Sequence, residues 1–181
     1  MKHIILGLSL MALSTFGMKA STIGYTNGII SRTSVFRMGS TTKQGQAIRF
    51  SREKLQTLKG KSISAVNIAV GSRNTTGNNA HIFVATSLEG TPIAEGDLSL
   101  SKALQWLTYT LDTPYVITGE ETELYIGYTA EIATSYNMLS ADFDADIPNC
   151  NFAYKDGEWT DTYGIGAGCA NITVEIADAP S

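Results

Sequence analysis

The chain is poor in the side chains from which catalytic and metal centres are usually built. It has 181 residues, with two histidines and two cysteines. One histidine, His3, falls in an N-terminal stretch that reads as a removable leader. That leaves His81 alone, in an apolar segment beside Phe83, where it has no partner for a Ser-His-Asp or Cys-His set. No Gly-x-Ser-x-Gly elbow occurs. One histidine and two separated cysteines do not make a structural zinc site. Sixteen acids in residues 74–181 would allow many carboxylate pairs for glycoside hydrolysis, but none is singled out by spacing. The composition therefore argues against an enzyme, with an unrecognised hydrolase as the remotest alternative.

Positive charge is also scarce. Without Lys2 and Lys19 of the leader, the 13 basic residues fall to 11 against 17 acids, a net charge near −6. Nucleic-acid binding, which needs lysine and arginine to displace counterions, is disfavoured. A bilayer-spanning run is lacking too, because the apolar stretch from Ile4 to Leu13 is too short to cross as a helix. It is instead the length of a signal-peptide core. Met1-Lys2-His3 gives it a basic start, and Phe16-Gly17-Met18-Lys19-Ala20 closes on a small residue. Residues 1–20 are read as a signal peptide and 21–181 as one mature domain. The mature chain should carry no transmembrane segment and be secreted or surface-located, or periplasmic.

The basic residues that exist are concentrated. Residues 21–73 hold nine of them and a single acid, Glu53, whereas 74–181 hold Lys102, Lys155 and sixteen acids. If strands from the two halves interleave, the charges offset one another across the sheets. If they do not, a two-faced surface would favour self-association head to tail.

Most apolar segments are short, rich in β-branched and aromatic residues, and bounded by Gly, Asn, Asp or Pro. Strands are expected near Thr22–Tyr25, Ser34–Met38, Gln46–Phe50, Ser62–Val70, His81–Thr86, Ile93–Leu98, Gln105–Asp112, Glu123–Thr129, Tyr136–Asp142, Cys150–Lys155 and Asn171–Ala177. Alternation places Leu107, Tyr109 and Leu111 on one face, and Leu124, Ile126 and Tyr128 on another. One segment has helical spacing: Ser51 can cap, Leu55 and Leu58 are three apart, and Gly60 terminates. The fold class expected is all-β: a two-sheet antiparallel sandwich of jelly-roll type with one short helix near 51–59.

Asp156-Gly157 is a two-residue hairpin signal. Counting outward pairs Lys155 with Glu158, Tyr154 with Trp159, Phe152 with Asp161 and Cys150 with Tyr163. Parity then puts Cys150, Phe152, Tyr154, Trp159 and Tyr163 on one face, expected to point inward. The other reading of Trp159 and Tyr163 is an exposed aromatic platform for a sugar ring. Cys150 and Cys169, an exclusive pair in an exported chain, are expected to form a disulfide.

Two further segments have polar ligand chemistry. Asp142-Phe143-Asp144-Ala145-Asp146 sets three carboxylates at alternate positions. It reads either as a solvated strand end or as an oxygen-rich calcium loop, though not an EF-hand, because Ile147 stands where the turn glycine would be. No other cofactor is called for. The polar loop with Arg73, Asn74, Asn78 and Asn79 suits adaptable surface contacts. Asn74-Thr75-Thr76 and Asn171-Ile172-Thr173 match the glycosylation sequon.

Several stretches together resemble a known family: Ile23-Gly-Tyr-Thr-Asn-Gly28, Leu111-Asp-Thr-Pro-Tyr-Val-Ile-Thr118, Leu124-Tyr-Ile-Gly-Tyr128 and Asp156-Gly-Glu-Trp159. In order and spacing they are similar to the jelly-roll, cleaved-adhesin-type modules of secreted and surface proteins of gut and oral anaerobic bacteria. Thr26 departs from the pattern, which often has cysteine there. The resemblance implies a non-catalytic module, calcium-stabilised in some relatives, that engages a surface glycan or protein. It assigns no binding residue. The competing expectation is a structural or accessory subunit that assembles with other exported proteins.

Overall fold

The structure is a computed structural model, and it describes residues 20–30, 35–36, 43–71, 79–131 and 139–179. The leader before Ala20, the ligand candidates Arg73, Asn74 and Asn78, and the first sequon lie outside the described residues.

Thirteen strands and one helix are described. They are β1 (Ser21–Gly24), β2 (Val35–Phe36), β3 (Lys43–Ser51), α1 (Arg52–Thr57), β4 (Lys61–Ala69), β5 (Asn79–Ala85) and β6 (Ala94–Ser99). There follow β7 (Trp106–Val116), β8 (Glu123–Glu131), β9 (Leu139–Asp142), β10 (Phe152–Lys155), β11 (Glu158–Asp161), β12 (Cys169–Ala170) and β13 (Ile172–Asp178). They form a four-stranded sheet in the order β1-β13-β4-β7 and a six-stranded sheet in the order β11-β10-β3-β8-β5-β6. A small third sheet, β12-β9-β2, was not expected.

Setting the β10–β11 hairpin aside, the two large sheets read 1-13-4-7 and 3-8-5-6. This is the strand order of a jelly roll, with the chain passing repeatedly between sheets. All pairings are antiparallel, and the hairpin extends one sheet beyond β3. The expected fold class stands.

The core between the sheets follows from strand alternation. Ile48 and Phe50 of β3, Ile63, Val66 and Ile68 of β4, and Ile82 and Val84 of β5 are fully buried. So are Leu124, Ile126 and Tyr128 of β8 and Ile172 and Val174 of β13. Each fully buried aliphatic or aromatic side chain stabilises the fold by about 1.5–3 kcal/mol before entropy is counted. The buried Tyr128 hydroxyl donates to Gln46 Oε1 at 3.0 Å, and Gln46 Nε2 donates to Asn151 at 3.3 Å. Burial raises the Tyr128 pKa well above that of a free phenol.

Helix α1 forms where the leucine spacing predicts. Ser51 caps it by accepting from the Lys54 amide, and Leu55 is buried beneath it. The basic and acidic halves interleave as one of the two expectations had it: Arg49 pairs with Glu123, and Lys61 with Asp178. Both pairs are partly solvated and contribute little to stability.

The hairpin register is the one counted from the turn, with Phe152 opposite Asp161, Tyr154 opposite Trp159 and Lys155 opposite Glu158. Asp156 and Gly157 both have positive φ, at 51° and 100°, as a type I′ turn requires. The direction of its aromatic face was misjudged. Ala153 enters the inter-sheet core, so Phe152, Tyr154 and Trp159 lie on the outer side of the six-stranded sheet. Parity alone could not choose between the two sides, because this sheet buries residues on both.

The Cys150–Cys169 disulfide is present, with Cα atoms 4.8 Å apart and both residues buried. It closes the loop holding the hairpin, which in the chain-entropy model is worth about 3 kcal/mol.

Candidate functional site

The two large sheets have very different outer faces. On the four-stranded sheet, register aligns residues remote in sequence: Gly24 opposes Thr173, Thr173 opposes Asn67, and Asn67 opposes Thr108. This row is a polar ladder. Thr108 Oγ1 donates to Asn67 Oδ1 at 2.7 Å, and Asn67 Nδ2 donates to Thr173 Oγ1 at 3.3 Å. The Thr173 hydroxyl accepts from Asn67 and keeps its own proton to donate outward.

Gly24 keeps the near end of the row low. A Cβ there would stand 2.7 Å from both Ile172 O and Thr173 Cγ2, closer than real Cβ contacts come. At the far end, Trp106 opens β7 and is only partly buried. Its indole Nε1 donates to Gly28 O at 3.1 Å, which draws the loop after β1 over the end of the sheet. Asn27 closes that loop by donating its backbone and side-chain N–H groups to Asp142 at 2.8 and 3.3 Å.

Floor, loop and indole together enclose an open groove of about 680 Å³, lined by Thr22, Gly24, Asn27, Asn67, Trp106 and Thr173 among others. That volume is in the range of small-ligand sites. Its chemistry is a flat aromatic surface beside hydroxyl and amide groups of fixed direction, and it contains no nucleophile–base pair.

The outer face of the six-stranded sheet carries only a smaller opening, about 190 Å³, edged by Phe83, Leu88, Tyr154 and Trp159 among others. Phe83, Tyr125, Phe152, Ala47 and Ala85 form a second apolar cluster there, with Leu88 and Trp159 against it. The rings contact one another edge to face: Phe83 and Trp159 at 5.7 Å, Tyr125 and Phe152 at 5.4 Å; Tyr154 lies tilted at 5.1 Å from Trp159. Strands β11 and β5 are four spacings apart, about 19 Å on a flat sheet. For Trp159 and Phe83 to touch, the sheet must curl toward this side. Gly127 permits it, since a Cβ there would stand 2.8 Å from Phe83 Cζ and 2.5 Å from Gln46 O. Arg49 and Lys43 cover the rings of Phe152 and Tyr154 at 5.6 and 5.7 Å.

The residues singled out from sequence do not converge on one site. Trp159 is a half-buried member of the aromatic cluster, neither in the inter-sheet core nor a free platform. Tyr163 is 52% exposed, contrary to the inward position expected, because the strand ends at Asp161 and the chain turns before reaching it. Asn79 opens β5 opposite Ser99 and edges a smaller cavity with His81 and Asp97. His81 itself faces Glu95 at 2.9 Å and Asp97 at 3.4 Å through its two ring nitrogens.

The three aspartates are also kept apart. Asp142 is buried and accepts from Asn27 and from the Asp144 amide, while Asp146 accepts from the Gly164 amide. Among the described residues no group of three or more His, Cys, Asp or Glu side chains is placed to hold a metal ion. Asn171 of the second sequon is fully buried and donates to Ser140 Oγ at 2.8 Å, so it is not open to glycosylation.

Trp106, Asn67 and Thr173 were missed. The alternation that buries Leu107, Tyr109 and Leu111 already turns Trp106 and Thr108 outward, and that was the available signal.

No protein-family model matches the chain, and no curated protein does. Among solved structures the fold resembles the clostridial cysteine protease Cwp84 after propeptide cleavage, with a TM-score of 0.51 and 13% identity over 77% of this chain. The chain spans 37% of that protein. At this identity the likeness carries the fold alone. Both cysteines of the present chain are held in the disulfide, so no free thiol is available for cysteine-protease chemistry.

Proposed function

We propose that this protein is an exported, non-catalytic binding module that engages a surface glycan through the groove on its four-stranded sheet. The observation carrying this reading is that Trp106 shares one groove of about 680 Å³ with Asn67 and Thr173, whose polar groups are oriented by the Thr108–Asn67 and Asn67–Thr173 hydrogen bonds. A pyranose ring has apolar C–H faces and a rim of hydroxyls. The indole suits the former and the ladder suits the latter.

The disulfide agrees with an oxidising compartment. No helix among the described residues is long and apolar enough to cross a membrane. In Cwp84 the matching fold is one part of a longer chain, which supports reading it as a module. A protein ligand at the same surface is the alternative.

A glycan array probed with the mature protein tests the proposal. Specific binding that Trp106→Ala removes, in a variant that melts like the parent, is the expected result. Binding unchanged by Trp106→Ala, or a defined exported protein captured in place of any glycan, contradicts it.

A further inference from the structure

We infer that the groove selects glycans carrying an anionic group, a uronate carboxylate or a sulfate, and that Lys54 is the residue that reads it. This rests on the glycan reading above and sharpens it. Among the described residues Lys54 is the only charged one lining the groove; it comes from α1, whereas Trp106 comes from β7. Its ammonium is held by rings, 5.4 Å from the Tyr25 centroid and 5.5 Å from that of Phe50. Those contacts fix its position and leave its N–H donors without a carboxylate.

The segments outside the described residues contain no aspartate or glutamate side chain. Among the described residues Lys54 makes no salt bridge, whereas Arg49 and Lys61 do. Glu53, next in sequence, is occupied with the Ser51 side chain. Glu175 opposes the groove residue Thr22, and Asp142 accepts from the groove residue Asn27, but neither carboxylate lines the groove. A cation on a rigid apolar seat with no counter-ion, at the rim of a hydroxyl-lined groove, is complementary to an anion on the ligand.

The sequence asymmetry has the same sense. Thr22, Gly24, Asn27, Lys54 and Asn67 all come from residues 21–73, the stretch with nine basic residues and one acid. The protein as a whole is acidic, so discrimination has to be local. At physiological salt the Debye length of about 8 Å lets a single lysine act at contact range, while distant acids are screened.

The experiment uses matched oligosaccharides in three forms, neutral, uronate-bearing and sulfated, titrated into the mature protein and into Lys54→Met, Lys54→Arg and Trp106→Ala. Methionine keeps the apolar stem against Tyr25 and Phe50, and a melting curve checks that the fold is intact. The parent is expected to bind one or both acidic forms about tenfold more tightly than the neutral one, as one charge-assisted contact allows. Lys54→Met should bring acidic binding down to the neutral level, Lys54→Arg should retain the preference, and Trp106→Ala should lose all three forms. The two acidic arms distinguish carboxylate from sulfate. Equal binding of neutral and acidic forms, or a preference that survives Lys54→Met, overturns the inference and leaves the glycan reading standing. No binding of any form by the parent overturns both.

Discussion

The two outer faces of this sandwich use the same two kinds of side chain in opposite ways. On the six-stranded sheet, aromatic rings come from four strands, find one another and close over a glycine. On the four-stranded sheet, one tryptophan stacks on no other ring of the described residues, and beside it hydroxyls and amides are held to each other in a row. The first face leaves only a smaller opening, about 190 Å³, beside Trp159. The second leaves a groove whose polar groups still have directions to offer. The proposed ligand site accordingly lies where the tryptophan's neighbours are polar rather than aromatic. The chain has two tryptophans, one on each face, so the contrast can be tested residue against residue.

The largest effect should come from cutting the staple behind the aromatic face. Replacing both Cys150 and Cys169 by serine should cost about 3 kcal/mol, read by chemical denaturation. The loss should appear first as looser packing around Trp159, while the environment of Trp106 is kept. Equal loosening at both would mean that the faces are not independent.

Next in size is Trp159→Ala. The ring is half-buried, so about 2–3 kcal/mol is expected, below the 3–5 typical of a fully enclosed aromatic. Glycan affinity at the other face should be unchanged. Trp106→Ala should do the reverse, costing less than about 1 kcal/mol of stability while lowering affinity at least about 30-fold, as a central aromatic contact does. A variant with the opposite pattern would exchange the roles assigned to the two faces.

The smallest effect concerns neither face but the loop after β7. Glu121 accepts from the Thr118 and Gly119 amides, both at 2.8 Å, and from the Tyr115 hydroxyl at 2.9 Å. Desolvation would raise its pKa, but these donors outweigh it and hold it down at about 2, and the Tyr115 phenol is pushed up to about 12, chiefly by burial. A carboxylate depressed from 4.5 gives stability that is complete above that value and is lost as pH falls toward 2. After allowance for solvent screening this is about 1 kcal/mol. Glu121→Gln should flatten the acid limb of the stability curve over that window. An unchanged acid limb would show that the loop does not depend on the charge.

Much of the scaffold was legible because it depends on local rules. The Ser51 cap, the leucine spacing in α1, the turn at Asp156-Gly157 with its register, and the disulfide each follow from residues close in sequence or from there being only one pair. The side on which the hairpin aromatics lie was not legible. Parity sorts residues into two faces but does not say which faces the other sheet. Here Ala153, the small residue between Phe152 and Tyr154, is the one that enters the core.

The ladder was hidden for a different reason. Gly24, Thr173, Asn67 and Thr108 become neighbours only through the registers of β1, β13, β4 and β7, which join distant parts of the chain. The three aspartates show the converse. Spacing in sequence suggested a common ligand set, but Asp142 turns to Asn27 and Asp146 to Gly164. Calcium stabilisation remains an expectation from family resemblance, to be tested by melting in calcium against chelator.

The most direct measurement uses the two tryptophans as separate reporters. In Trp159→Phe only Trp106 emits, and in Trp106→Phe only Trp159 does. Each variant is titrated with the glycan that the array identifies, and tryptophan fluorescence is followed. The account predicts a saturable change in Trp159→Phe with the parent's affinity, and a flat trace in Trp106→Phe. A saturable change in Trp106→Phe beside a flat trace in Trp159→Phe would place the ligand on the aromatic face and contradict the assignment of the groove.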